Sequence, residues 1–228
     1  YFSSANKELR ALLPPAVQQQ LRTDYEAATA LCVKMGMRSC KKLSKAKKVE
    51  WIGKGLIAAD LATLATLGSV LPALEELYLN EHSGSADPDG VSRLAEGLVA
   101  GALPAVVLLD IYRTHVGDAG ASALAAALDR GALPRLEDLG LVNVAIGDAA
   151  LAALAPALRR RPALVKVFLC GNPLSDEGLA ALVAPPPPAG TPRRRRLPTG
   201  GLKKLEHLDL TGTRVTNAGC ATLVAALD

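Results

Sequence analysis

Histidine, cysteine and paired acids are the side chains best able to transfer a proton, attack a substrate or hold a metal, and here they are few and scattered. His82, His115 and His207 are the three histidines, and no nucleophile stands at a fixed spacing from any of them. His207 and Asp209 lie two apart, as neighbours on one face of a strand do, which describes a shared polar surface better than a catalytic couple. Asp87-Pro88-Asp89-Gly90 opens like a calcium loop without the remaining ligands, and no Walker loop, zinc signature or nucleophile elbow is present. Cys32, Cys40, Cys170 and Cys220 show neither metal spacing nor short-range pairing and read as reduced thiols. The sequence therefore predicts no catalytic residue, no cofactor and no metal. The reduced thiols suit an intracellular protein, cytoplasmic or, after N-terminal processing, organellar. Tyr1 in place of a Met fits a processed or truncated start.

Charge is the next chemistry to weigh. The net charge of +4 hides two basic tracts: Lys34, Arg38, Lys41, Lys42, Lys45, Lys47, Lys48 and Lys54 face only Glu50, and Arg193 to Arg196 form a second block. Outside them the chain is acidic. Lys41, Lys42, Lys45, Lys47 and Lys48 could meet an anionic membrane surface or phosphates. Neither tract interleaves the aromatics that base stacking needs, so a solvated face or an acidic protein partner is the commoner explanation, and nucleic acid is disfavoured. No apolar run is long enough to span a membrane.

Such side chains need elements to position them, and those are set by a repeat. In Leu164 to Gly178 apolar residues fall at places one, four and six, Asn172 at nine, Leu174 at eleven and Gly178 at fifteen. First places recur at Leu74, Val106, Leu136, Leu164 and Leu205, which gives five copies. Gly101-Ala102-Leu103-Pro104 returns one unit later as Gly131-Ala132-Leu133-Pro134. In each unit a short strand of period two precedes a helix of period 3.6, and Asp118, Asp148, Ser175, Asp176 and Asn217 stand where side chains cap helix starts. The last interval exceeds the one before it by the length of a Pro/Arg-rich insertion loop at 185–197. Ahead of the regular units, residues 5–37 read as a helix with Leu21, Tyr25, Ala28, Cys32 and Met35 on one face, able to cover the open end of the array. Leu43, Val49 and Ile52 mark a degenerate zeroth unit. The expected organisation is an N-terminal helical, basic cap over 1–54 and a repeat domain over 55–228.

This pattern resembles the leucine-rich repeat of the ribonuclease-inhibitor type. The resemblance implies an α/β fold, a right-handed horseshoe solenoid with a parallel sheet on its concave face and helices on its convex face. Place nine, commonly Asn, is filled by His82, Thr114, Val144, Asn172 and Thr213, and because valine offers no polar side chain the third turn is expected to be loose or bridged by water. If Leu77 and Leu79 point inward, alternation turns Glu76, Tyr78, Asp110, Tyr112, Asp138, Lys166, Phe168, His207 and Asp209 outward. Tyr78, Tyr112 and Phe168 are three of only seven aromatics, and set among acids they have the make-up of a protein-binding patch. The expected function is a non-enzymatic scaffold that binds a protein partner, as a subunit of a larger complex or alone. Cross-strand stacking is the plainer explanation of the rings. A GTPase-activating protein similar to the Ran GTPase-activating family is the alternative, with Arg113 past the second strand as the residue to test, although that family's larger repeat number and its Asp-Asn-Ala-Phe-Gly-like loop are missing. An adaptor working through the basic tracts is the third. The fifth strand is expected to leave a free edge that a partner chain or further residues would cover.

Overall fold

Alternating leucines that face a core on one side only must be covered by something, and here each strand is covered by the helix that follows it. The structure, a computed structural model, describes residues 13–37, 40–81, 88–182, 202 and 204–227. Its elements run α1 (Pro15–Lys34), α2 (Cys40–Leu43), β1 (Lys48–Ile52), α3 (Ala58–Leu67), β2 (Glu76–Asn80), α4 (Pro88–Val99), β3 (Leu108–Tyr112), α5 (Gly117–Asp129), β4 (Asp138–Val142), α6 (Asp148–Arg159), β5 (Lys166–Phe168), α7 (Asp176–Ala180), β6 (His207–Asp209) and α8 (Asn217–Leu227). The strands pair in chain order, all parallel, as one six-stranded sheet on the concave side of a right-handed α/β solenoid, with the helices outside. His82 and the insertion at 185–197 lie outside the described residues.

Six strands replace the five expected. The zeroth unit is present, and the sheet begins at Lys48, ahead of residue 55. Its side chains differ from expectation: Val49 and Trp51 align with Leu77 and Leu79 and are buried, while Ile52 aligns with Asn80 and is exposed. Val49, Trp51 and Ile52 are the apolar residues of this strand, and the adjacent pair Trp51-Ile52 blurs its period of two. The buried Trp51 indole N–H finds no acceptor among the described residues, in keeping with an irregular zeroth unit.

The first helix also departs from the sequence reading. Ala28, Leu31 and Cys32 are buried where α1 packs on α3, and Lys34 Nζ meets Asp60 Oδ2 at 2.5 Å. Leu21 and Tyr25, assigned to the same buried face, are exposed. Among the described residues only the C-terminal part of the apolar stripe is buried.

Successive units are held by contacts that the repeat spacing alone does not reveal. Neither Asp118 nor Asp148 caps its own helix. Each reaches forward instead: Asp118 Oδ1 accepts from Gly147 N at 2.7 Å, and Asp148 accepts from Ser175 N at 2.8 Å and Ser175 Oγ at 2.6 Å. Asp176 repeats this with Thr216 N at 2.7 Å and Oγ1 at 2.6 Å, which joins the units on either side of the insertion. The Ser175 and Thr216 donors hold the Asp148 and Asp176 carboxyls below the usual range, so this stabilisation is full above that range and lost as pH falls through the lowered values. The same contacts explain the glycine at place fifteen. A Cβ on Gly178 would lie 2.3 Å from Asp148 Oδ1, and one on Gly219 would lie 2.2 Å from Asp176 Oδ1.

The third turn is not loose. Val144 is fully buried, its N–H donates to Asn172 Oδ1 at 3.1 Å, and its carbonyl accepts from Val116 N at 3.2 Å and Gly117 N at 3.0 Å. A main-chain carbonyl thus does for the second unit what the Asn172 side chain does for the third. Arg161 closes another gap: its guanidinium donates to the carbonyls of Leu128, Ala132 (2.5 Å) and Leu133 (3.0 Å) at the end of α5. Burial lowers its pKa. In the last unit Leu208, Leu210 and Val215 are only half-buried, whereas their counterparts Leu139, Leu141 and Ile146 are fully buried.

Candidate functional site

Alternation along the strands leaves three rows of side chains on the concave face, and the register places their members side by side. The first row runs Lys48, Glu76, Leu108, Asp138, Lys166, His207. The second runs Glu50, Tyr78, Asp110, Gly140, Phe168, Asp209. Ile52, Asn80, Tyr112 and Val142 form the third. Every outward residue named from the sequence lies on this face.

Charges within the first two rows are largely paired. Lys48 Nζ lies 2.8 Å from Glu50 and 3.5 Å from Glu76, and 4.7 Å from the centre of the Tyr78 ring. The Tyr78 hydroxyl donates to Glu76 at 3.2 Å, and burial together with that carboxylate pushes the phenol pKa up. Lys166 Nζ sits 2.9 Å from Asp138 Oδ2. Asp209 accepts from Thr211 N at 2.9 Å, and the thiol of Cys170 hydrogen-bonds to it as well. Burial and that carboxylate raise the Cys170 pKa, which keeps it a thiol and a poor nucleophile at neutral pH. Phe168 and His207 meet with ring centres 5.1 Å apart, so the stacking explanation holds for this pair.

Asp110 is the exception. Among the described residues no hydrogen bond or ion pair engages its carboxylate, and burial pushes its pKa up. Folding therefore favours the protonated form. The ionised group subtracts stability above the raised value, and the penalty disappears below the ordinary carboxyl pKa of about 3.9. Its carboxylate leans over Gly140, where a Cβ would lie 2.0 Å from Asp110 Oδ1. Beside it lies a hollow of about 290 Å³, lined by Tyr78, Leu108, Asp110, Asp138, Gly140, Val142 and Phe168.

The structure thus brings Tyr78, Asp110, Asp138 and Phe168 together and leaves Tyr112 beside them in the third row, its ring 5.1 Å from the Arg113 guanidinium. Glu76, Lys166 and His207 flank the hollow, and Asp209 ends its row. The same alternation turns Leu108, Gly140 and Val142 outward, but reading for polar and aromatic groups does not single them out as binding residues. A signal exists: Gly140 is the one glycine at an outward position among the described strands. Arg113 is exposed and holds a left-handed backbone, φ 55°, at the place where Gly53, Gly171 and Gly212 stand in other units. Of the lysine tract, Lys47 pairs with Glu75 at 3.1 Å and Lys48 is turned onto the concave face. No three His, Cys, Asp or Glu side chains among the described residues are grouped to hold a metal, and none of the described helices is long and apolar enough to cross a membrane.

A family model described as a leucine-rich repeat matches residues 201–224. A chain of the yeast Rad7–Elc1 complex is similar in fold, with a TM-score of 0.50, 16% identity, and coverage of 93% of this chain and 46% of that one. An internalin of Listeria monocytogenes is also found, at a TM-score of 0.21 and 16% identity, covering 73% of this chain and 62% of the internalin. This chain therefore spans about half the length of the first and under two thirds of the second. No curated protein matches it in sequence.

Proposed function

We propose that this leucine-rich-repeat solenoid, of the ribonuclease-inhibitor subtype, is a non-enzymatic module that binds a protein partner on its concave face. The long repeat interval, with a convex helix after each concave strand, supports the subtype. The observation that carries the binding role is the hollow at Gly140, where aromatic and aliphatic walls meet a carboxylate that no described group of its own chain neutralises. An apolar depression rimmed by charge is what a partner's anchoring side chain fills. Stacking accounts for Phe168 against His207 but leaves the space beside Phe168 unfilled. The convex helices α3 and α4 also leave a groove, of about 430 Å³, but alanine, glycine and polar side chains line it and no aromatic ring does.

The test is capture of partners from cell extract with the wild-type chain and with Tyr78→Ala, Tyr112→Ala and Phe168→Ala. Loss of an anchoring aromatic is expected to weaken capture roughly tenfold or more, the usual cost of an interface hot spot. If every captured partner is retained by all three variants, the concave face is not the binding surface.

A further inference from the structure

We infer that the hollow at Gly140 receives the guanidinium group of an arginine presented by a partner protein, held between the Tyr78 and Phe168 rings and against the Asp110 carboxylate. This rests on the concave-face reading and names what that face recognises. Register sets the geometry. Tyr78, Asp110, Gly140 and Phe168 are successive members of one row, so the two rings stand on either side of Gly140 and of the Asp110 carboxylate that leans over it. Their backbones are three strand steps apart, about 14 Å, which leaves room for a flat group between the rings.

Charge selects the occupant. The two lysines nearest the hollow are already committed, Lys48 to Glu50 and Glu76 and Lys166 to Asp138. Asp110 has no counter-charge among the described residues, and the apolar walls of Leu108, Val142 and Phe168 would strengthen its attraction for one brought in from outside. Burial already disfavours its ionised form, and an incoming cation would reverse that shift. Among biological cations the guanidinium fits best. It is planar, weakly hydrated, stacks on aromatic faces and presents several N–H donors to a carboxylate at once. Asp138, which lines the hollow and meets Lys166 through Oδ2, extends the acidic lining.

The probe is the peptide acetyl-Gly-Arg-Gly-amide, with the citrulline peptide as an uncharged isostere, titrated into the ¹⁵N-labelled full chain and followed at the Gly140 amide. The arginine peptide should shift that resonance saturably and bind at least tenfold more tightly than the citrulline peptide. Asp110→Asn should bring the two peptides to the same affinity while melting no lower than the wild type at neutral pH. No saturable shift at Gly140, or equal affinities for the two peptides on the wild-type chain, overturns the inference. Since the comparison of the two peptides is made on the unaltered chain, a poorly folding variant cannot obscure it. If partner capture depends on Phe168 while the two peptides bind alike, the concave-face reading stands and the guanidinium assignment falls.

Discussion

Replacing Asn172 by alanine is expected to cost about 4 kcal/mol of unfolding free energy and to lower the melting temperature by about 10 °C. The side chain is almost fully buried. Its Oδ1 accepts from Val144 N at 3.1 Å and Ile146 N at 3.3 Å, and its Nδ2 donates to the carbonyls of Leu141 at 2.6 Å, Leu169 at 2.9 Å and Cys170 at 3.4 Å. Alanine leaves the Val144 and Ile146 amides without an acceptor in a site lined by aliphatic residues, while the Cys170 carbonyl keeps its bond from Asn143 N at 3.0 Å, and water entering the cavity would recover only part of the loss. Asn172→Asp separates this account from simple loss of volume. The introduced carboxylate would face three carbonyl oxygens, so its pKa should be raised in the folded chain. Stability should then be poorest above that raised pKa and recover as pH falls through it toward the ordinary carboxyl value. Chemical denaturation across pH checks both variants.

Glu81→Ala is expected to cost about 3 kcal/mol, and the loss should concentrate in the zeroth unit. Glu81 is fully buried, and its carboxylate accepts from Gly55 N at 3.0 Å and from Leu56 N at 2.9 Å. These amides belong to the loop between β1 and α3, so Glu81 serves the zeroth unit as Asn172 serves the third. Glu81→Gln keeps one acceptor oxygen and should cost about 1 kcal/mol. Hydrogen exchange reads the location: the Gly55 and Leu56 amides should lose protection in Glu81→Ala, while those of Val144 and Ile146 keep it. Uniform loss of protection along the solenoid would mean that Glu81 supports the whole array and not one loop.

Glu81 also shows where the sequence is legible and where it is not. The leucine spacing identifies β2 to β6 and the outward register, because burial of one face imposes a period of two that few other arrangements produce. Asn172 is recognisable since asparagine at place nine is the usual choice. Its equivalent in the first unit is expected at His82, yet the longer Glu81 side chain makes those bonds from one place earlier. Val144 misleads in the other direction, because the polar group that serves the preceding turn is its own carbonyl, which no side-chain letter reports. Asp118, Asp148 and Asp176 stand where caps are expected, but the direction of a carboxylate depends on the neighbouring unit, which is distant in sequence. Of the candidate site, the aromatic and acidic members are legible from alternation alone. The hollow is not, since side chains from four strands line it and the Asp110 carboxylate leans over Gly140 without a described cation beside it.

The claim that the concave face binds a protein is tested most directly by photo-crosslinking in cells, with benzoylphenylalanine placed either at Val142, on the hollow, or at the exposed Ala152, on the convex helix α6. The concave position should yield a discrete crosslinked protein that the convex position does not, and its yield should fall on adding Phe168→Ala. Crosslinking to the same protein from Ala152 alone, or equally from both positions, would contradict the account.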